Sequence, residues 1–304
     1  MSVCVVGSVN LDHVVRAPRI PGPGETILGT GVAEHPGGKG ANQAIGAGRS
    51  GAETVFVGAM GDDPAASRLL AELRGAGVDA QVRTAAAGVP TGTAWITVGD
   101  DGENVIIVVP GANATVTELS AQERGLVASA RILLLQQEIP ESAMLDAASA
   151  VAPEALVLLN AAPTREVSPQ LLALVDVLIV NEHEAADLHG APATPPVLIE
   201  ALLERVPAVV LTLGAAGSLV AVRGAEPVAV PAHPVKAVDT TGAGDAFCGA
   251  LAAEIDRAEP SSDLLDRLVA GARFATSVSA LAVQRPGAAS SIPWREEVLK
   301  AYPA

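Results

Sequence analysis

The segment AVDTTGAGDAF, residues 237–247, sets two threonines, two glycines and then an acid, Asp245, where a helix is expected to begin. Gly242 and Gly244 let the backbone turn with little steric penalty. Amide groups at a helix start lack intrahelical acceptors and, with the helix dipole, favour an anion. A phosphoryl group at that turn would have its oxygens met by backbone donors. Asp245 beside such donors is ill-suited to hold an anion and well suited to take the proton of an attacking hydroxyl. The alternative is an acid that caps its own helix.

A second glycine turn, PGGKGANQA (36–44), also leads into a helix. It is not a Walker A loop, because Ala33 and Gly40 stand where that pattern needs Gly and Ser or Thr. Its glycines admit a ligand close to the backbone, and Asn42 is a candidate for sugar hydroxyls. Lys39 is either part of that site or a solvated charge at the turn. In GSVNLDH (7–13), Asn10 and Asp12 are two apart after the first strand, so an extended backbone puts them on one side. An amide and a carboxylate suit adjacent hydroxyls; the alternative is a turn built by Asn and Asp. In NEHEA (181–185), Asn181 and Glu184 share a helix face and are candidates to hold the waters of Mg2+. A zinc helix fails there because residue 187 is Asp187 rather than His. TLGAAGS (212–218) suits close approach of a nucleotide. No GxSxG elbow occurs, and neither cysteine has a histidine nearby in sequence, which leaves hydrolase chemistry without support.

The elements that must position these groups alternate along the chain. Strand-like runs lie at 3–6, 54–59, 131–136, 155–160, 177–180 and 208–213. Helix-like runs lie at 63–75, 117–129, 141–151, 182–189, 195–205, 243–257 and 263–283. Continuously apolar strands separated by helices predict an α/β domain with a parallel sheet covered on both faces. Residues 12–36 and 91–109 lack helical periodicity. They predict either a small β flap over the sheet's mouth or surface hairpins, the second with two strands around GDDGEN.

Bulk properties narrow the partners. The 304 residues carry a net charge of -15, which disfavours nucleic acid and anionic membrane. Six aromatic residues give no stacking platform for single strands. Cys4 and Cys248, far apart, fit a reducing cytosol. No signal peptide or membrane helix is expected: the uncharged run 206–222 reads as strand, turn, strand.

With its motifs in this order, the chain resembles the ribokinase/PfkB family of carbohydrate kinases, from VVGSVNLDH (5–13) to SIPWREE (291–297). GGKGANQA resembles the first family signature, and DTTGAGDAF the second, more specific one. Together NLDH, GGKGANQA, GAN (111–113), NAAP (160–163) and NEHE are most similar to the family's ribose-phosphorylating members.

The resemblance implies a three-layer α/β/α domain over 1–304 with a mostly parallel sheet and a small β lid, the lids pairing in a homodimer. It implies ATP-dependent phosphorylation of D-ribose at O5. The sugar set is then Asn10, Asp12, Gly38, Lys39, Asn42 and Glu138, with Asp245 as catalytic base and the amides of Gly242, Ala243 and Gly244 as anion hole. Asn181, Thr212, Gly214, Gly217, Gly244 and Thr276 would lie along the nucleotide, and Glu184 would order Mg2+. A monovalent cation, usually K+, would take oxygens from Asp239, Thr241, Ala282, Arg285, Gly287 and Ser291.

Thr276 departs from the His or Asn that family members carry near adenine, and Ala215 and Ala216 lack polar side chains that some relatives have there. Rival readings are a kinase for deoxyribose, fructose or a nucleoside, and a sugar-binding sensor without catalysis. The scarcity of aromatics disfavours a nucleoside site, and the intact Asp245 turn disfavours the sensor.

Overall fold

The computed structural model describes residues 2–259 and 261–303. Among these, nine strands form the main sheet: β1 (Val3–Val6), β4 (Thr54–Met60), β5 (Val78–Thr84), β8 (Ile132–Gln136), β9 (Leu156–Asn160), β10 (Val177–Asn181), β11 (Ala208–Thr212), β12 (Ser218–Val222) and β13 (Val228–Val230). Their order is β13-β12-β11-β10-β9-β8-β1-β4-β5. From β5 to β11 every pairing is parallel; β12 and β13 add antiparallel edges. The mostly parallel sheet expected is thus found, and at one edge a tight turn replaces a crossover helix between β11 and β12.

The strands are buried on both faces, and period-two alternation assigns each face its own core. Val3, Val5, Leu134 and Val210 pack towards α1 (Lys39–Arg49), α2 (Pro64–Gly75), α8 (Ala243–Arg257) and α9 (Leu264–Ala282). Cys4, Val6, Leu135 and Val209 pack on the opposite side, with residues of α3 (Ala121–Ala128), α4 (Glu141–Ala150), α5 (Pro169–Leu172), α6 (Glu182–His189) and α7 (Pro195–Leu203). A final helix, α10 (Arg295–Ala301), follows α9. The helix expected over 117–129 begins only after Ser120, whose hydroxyl and the Glu123 carboxylate close a capping box. The glycines Gly46 and Gly249 let α1 and α8 approach closely: a Cβ on Gly46 would lie 3.4 Å from the Gly249 Cα.

The two non-helical regions form one separate four-stranded sheet, ordered β3-β2-β6-β7, from β2 (Asn10–Ala17), β3 (Gly31–Gly37), β6 (Gly92–Gly99) and β7 (Asn104–Val109). It starts at Asn10 and ends its second strand at Gly37, slightly wider than 12–36. Asn10 pairs with Gly37 on one side and Gly92 on the other. All six residues of β7 are exposed, including Ile106 and Ile107, and Trp95 on β6 is half exposed.

Candidate active site

Asp245 sits in the first turn of α8, three residues after Gly242, whose φ of 71° opens the helix. Only 6% of Asp245 is exposed. Its carboxylate accepts from Asn42 Nδ2 at 3.0 Å and from Gln43 Nε2 at 3.0 Å. Both donors stand near the N-terminus of α1, so the two glycine turns converge because α1 and α8 pack together. The acid spends its oxygens on neighbouring side chains, not on capping its own helix.

A cleft of about 220 Å³ opens at this point, lined by Lys39, Asn160, Asn181, Glu184, Thr212, Gly242, Gly244, Asp245 and Cys248 among others. Gly244 has open space on its Cα face, whereas a Cβ on Gly242 would meet Ala288 Cβ at 2.7 Å. The Ala243 amide donates to Thr240 O at 3.2 Å, so this expected anion-hole donor is already engaged in the turn. Lys39, expected as either a sugar ligand or a solvated charge, is partly buried and lines the cleft. Its pKa is raised chiefly by Asp245 against the cost of burial, with help from Glu138 and Glu184. It therefore supplies fixed positive charge among three carboxylates.

The expected sugar residues adjoin the cleft instead of lining it, apart from Lys39 and Asp245. Asn10 is buried and its Oδ1 accepts from Asn113 Nδ2 at 2.7 Å. Asn113 also brackets Val9 through both backbone groups, so it sets which way Asn10 points. Asp12 Oδ1 is buried without a partner. Burial, then Glu138 and Asp245, push the Asp12 carboxyl up to about 7. An orphaned acceptor beside other acids is the chemistry that a polyhydroxylated ligand relieves. Glu138 accepts from Ser8 Oγ at 2.6 Å and from the Lys39 amide at 2.9 Å. Gly38, at φ 87°, lies so near Val9 and Asn10 that a Cβ would stand 2.7 Å from the Asn10 amide nitrogen.

Asn181 and Glu184 form a capping box on α6, each side chain bonded to the other's amide at 2.9 Å. Burial raises the Glu184 pKa despite the Asn181 amide and Lys39. Both residues line the cleft, as does Thr212, whose hydroxyl donates to Val180 O at 3.3 Å. Gly214, Gly217 and Thr276 are outside that lining. Gly217 packs against the chain after β13, where a Cβ would lie 2.7 Å from the Ala232 amide nitrogen, and Thr276 is buried in α9.

The residues expected around a cation gather behind the turn. Asp239 accepts from the amides of Thr241 at 2.9 Å and Gly287 at 2.8 Å. Burial opposes its ionisation, but the Thr241 side chain, these two amides and the charge of Arg16 together outweigh it and hold its pKa below the usual carboxylate value. Ala282 O accepts from the Arg285 amide, and Ser291 Oγ donates to Ala288 O at 2.8 Å. From the far end of α1, Arg49 donates to Ala289 O and Ile292 O and so fixes this loop.

Sequence reasoning assigned no role to Gln43, Asn113, Asn160, Ser8 or Cys248. Gln43, Asn113 and Asn160 stand inside quoted motifs, but their partners lie on distant segments. Burial drives the Cys248 thiol pKa well above its ordinary value, which leaves it an inert wall of the cleft.

Comparison with known proteins agrees with this geometry. The chain is 35% identical to the ribokinase of Bacillus subtilis, covering 98% of each protein. It is 36% identical to a bifunctional ribokinase/ribose-5-phosphate isomerase A of Fructilactobacillus sanfranciscensis, over 98% of this chain and 55% of that protein. Among solved structures it matches the Arabidopsis thaliana ribokinase, complexed with ribose and ATP, with a TM-score of 0.89 and 35% identity, covering 98% of this chain and 97% of that one. The Thermotoga maritima ribokinase matches with a TM-score of 0.86 and 34% identity, covering 98% of each. A family model described as pfkB family carbohydrate kinase matches residues 1–295. With the Asp245 turn, the α1 amides and the flap all in place, this chain belongs to the pfkB family of carbohydrate kinases.

Proposed function

We propose that the protein transfers the γ-phosphoryl group of ATP to O5 of D-ribose, giving D-ribose 5-phosphate and ADP. The observation that carries the reading is the convergence of a buried carboxylate, Asp245, with the open amide turn at Gly244 in one cleft. The similarity to ribokinases across nearly the whole chain supports the sugar.

In this reading Asn10, Asp12, Gly38, Asn42 and Glu138 hold the ribose, with Asp12 accepting from a hydroxyl. Asp245 orients the 5-hydroxyl and accepts its proton as the oxygen bonds to the γ-phosphorus and the bond to the ADP oxygen breaks. Phosphoryl transfer is loose, so the proton need not leave early. The Gly244 amide and the Lys39 ammonium lie where negative charge spreads over the transferring oxygens. Asn181, Thr212, Gly214, Gly217 and Thr276 lie along the nucleotide; the packing of Gly217 makes its part the shape of the loop.

Two metal ions fit the residues present. Glu184 keeps one carboxylate oxygen outside its capping box, which suits an ion that retains most of its water and is otherwise held by phosphates. Bound there, Mg2+ would neutralise phosphate charge. Around Asp239 the donors are oxygens only, with one carboxylate kept ionised, which suits a large monovalent cation such as K+. It would be held by Asp239, Thr241, Ala282, Arg285, Gly287 and Ser291 and brace the turn that carries Gly242.

The exposed apolar strand β7, beside Trp95, supports a homodimer through the flap sheet. The buried free thiols of Cys4 and Cys248 agree with a reducing cytoplasm.

The deciding experiment is ADP release measured on a panel of pentoses and hexoses, with and without potassium, beside Asp245→Asn. Ribose is expected to be turned over best, potassium to raise turnover, and the variant to lose roughly 10²–10⁴ in rate. Near-normal turnover by the variant rules out Asp245 as base; preference for deoxyribose or fructose reassigns the substrate.

A further inference from the structure

Gln43 is wholly buried, at 0% exposure, so its side chain lies beyond the reach of a ligand in the cleft. Its Nε2 sits 3.0 Å from Asp245 Oδ1 and 3.0 Å from Asn160 Oδ1. An amide nitrogen carries two hydrogens, so one serves each acceptor. The orientation of this amide follows from its neighbours. Asn160 Nδ2 donates to Ile179 O at 3.2 Å, which turns Asn160 Oδ1 towards Gln43. Gln43 must then present its nitrogen, because its oxygen would face two acceptors.

The other end of the side chain is costly. Gln43 Oε1 is buried with no partner. An apolar side chain of similar length would fill the same space without burying an unpaired carbonyl. The asymmetry points to the donor as the reason for a glutamine here.

The Asp side chain rotates broadly about χ2, and a base must present a lone pair along one direction. Asn42 holds Asp245 Oδ2 and Gln43 holds Oδ1, so consecutive residues of α1 fix the carboxylate plane. Asn42 is also placed to meet the sugar, so its hold on Asp245 is shared when ligand binds. Gln43 has no such second duty. Through Asn160 its anchor is the backbone in the middle of β10, part of the rigid sheet.

We propose that Gln43 is a positioning residue for the phosphoryl-transfer step, locking the Asp245 carboxylate to the sheet through Asn160 so that one lone pair faces the acceptor hydroxyl. The inference rests on Asp245 as base, the reading given under the proposed function, but does not depend on which sugar is used.

The test is a double-mutant cycle with Gln43→Met and Asp245→Asn, run on whichever sugar the wild-type protein turns over best. Gln43→Met removes the donor and keeps the length. It is expected to lower kcat by roughly 10- to 100-fold, the scale of a misplaced reacting group, with the sugar KM changed less than about threefold. In the Asp245→Asn background the same change is expected to alter residual turnover by less than about twofold, because the groups act as a unit. A merely structural glutamine predicts equal losses in both backgrounds, and that result overturns the proposal. So does an unchanged kcat, or a loss carried wholly by KM. Should Gln43→Met fail to melt cooperatively, Asn160→Ala reads the same anchor from its other end, and an unaltered kcat there is equally fatal. Wild-type turnover on a sugar other than ribose corrects the substrate and leaves the cycle valid. Full activity in Asp245→Asn defeats the base assignment and this inference together.

Discussion

Gly242 and Ala288 are in near contact across the back of the catalytic turn: a Cβ placed on Gly242 would lie 2.7 Å from that of Ala288. The glycine is also held at φ 71°, a conformation that side chains resist. Gly244, two residues on, has nothing within 4 Å of its missing Cβ and lines the cleft. The two glycines thus serve different ends. Gly242→Ala is expected to cost ~1–3 kcal/mol of stability and to separate the turn from the 287–291 loop, abolishing most turnover. Gly244→Ala is expected to leave the melting temperature unchanged and raise the KM for ATP, because its methyl would enter ligand space. Melting curves and steady-state kinetics on the pair check this; equal destabilisation by both would contradict it.

Asp12 supplies a pH dependence. Its carboxyl is raised from 3.8 to about 7, first by burial and then by Glu138 and Asp245. For an acid whose folded pKa lies above the unfolded one, the folded state holds the extra proton between those values. Stability from this group therefore falls as pH rises from about 4 to about 7, and is flat above. The ligand-free protein is expected to melt lower as pH rises through that interval, and Asp12→Asn to flatten the slope. Sugar affinity is expected to run the other way, tightening between about pH 6 and 8 as the carboxylate becomes available to a hydroxyl. Calorimetric titration of ribose across that range checks it; pH-independent binding would remove Asp12 from the sugar site.

The flap makes a prediction about assembly. Ile107 is 62% exposed in the middle of β7, on a strand with no polar residue after Asn104. A lysine there would place charge on the face offered to a second copy. Sedimentation is expected to give a dimer for the native protein and a monomer for Ile107→Lys. A native monomer would dismiss pairing through this sheet.

The layers were legible because buried parallel strands read as unbroken apolar runs, as in VCVV and VLIV, and because Ala/Leu-rich helices alternate with them. The edges were not. β5 reads VDAQVRT, too polar for that signal, and β13 is only three residues. α10, REEVLKA, is too short for its periodicity to stand out. At the site, motifs with glycine turns announced Gly38, Gly242 and Asp245. Residues that act through distant partners stayed silent. Gln43 meets Asn160 and Asp245 across 117 and 202 positions, and Asn113 meets Asn10 across 103, separations over which one sequence carries no pairing information. Gly217 adds a constraint that the sequence did not show: its φ of 98° and the chain packed against it require a glycine whatever the loop binds.

The row of residues joining the flap to the main body is the row that begins at Asn10, flanked by Gly37 and Gly92. Asp12 follows two residues outward on the same strand, opposite His35 and Ala94. On the proposed reading, the flap would carry part of the sugar grip at its root, as a drawbridge carries its latch. Any tilt of the flap would then shift the grip as well, making capture and enclosure a single mechanical coordinate.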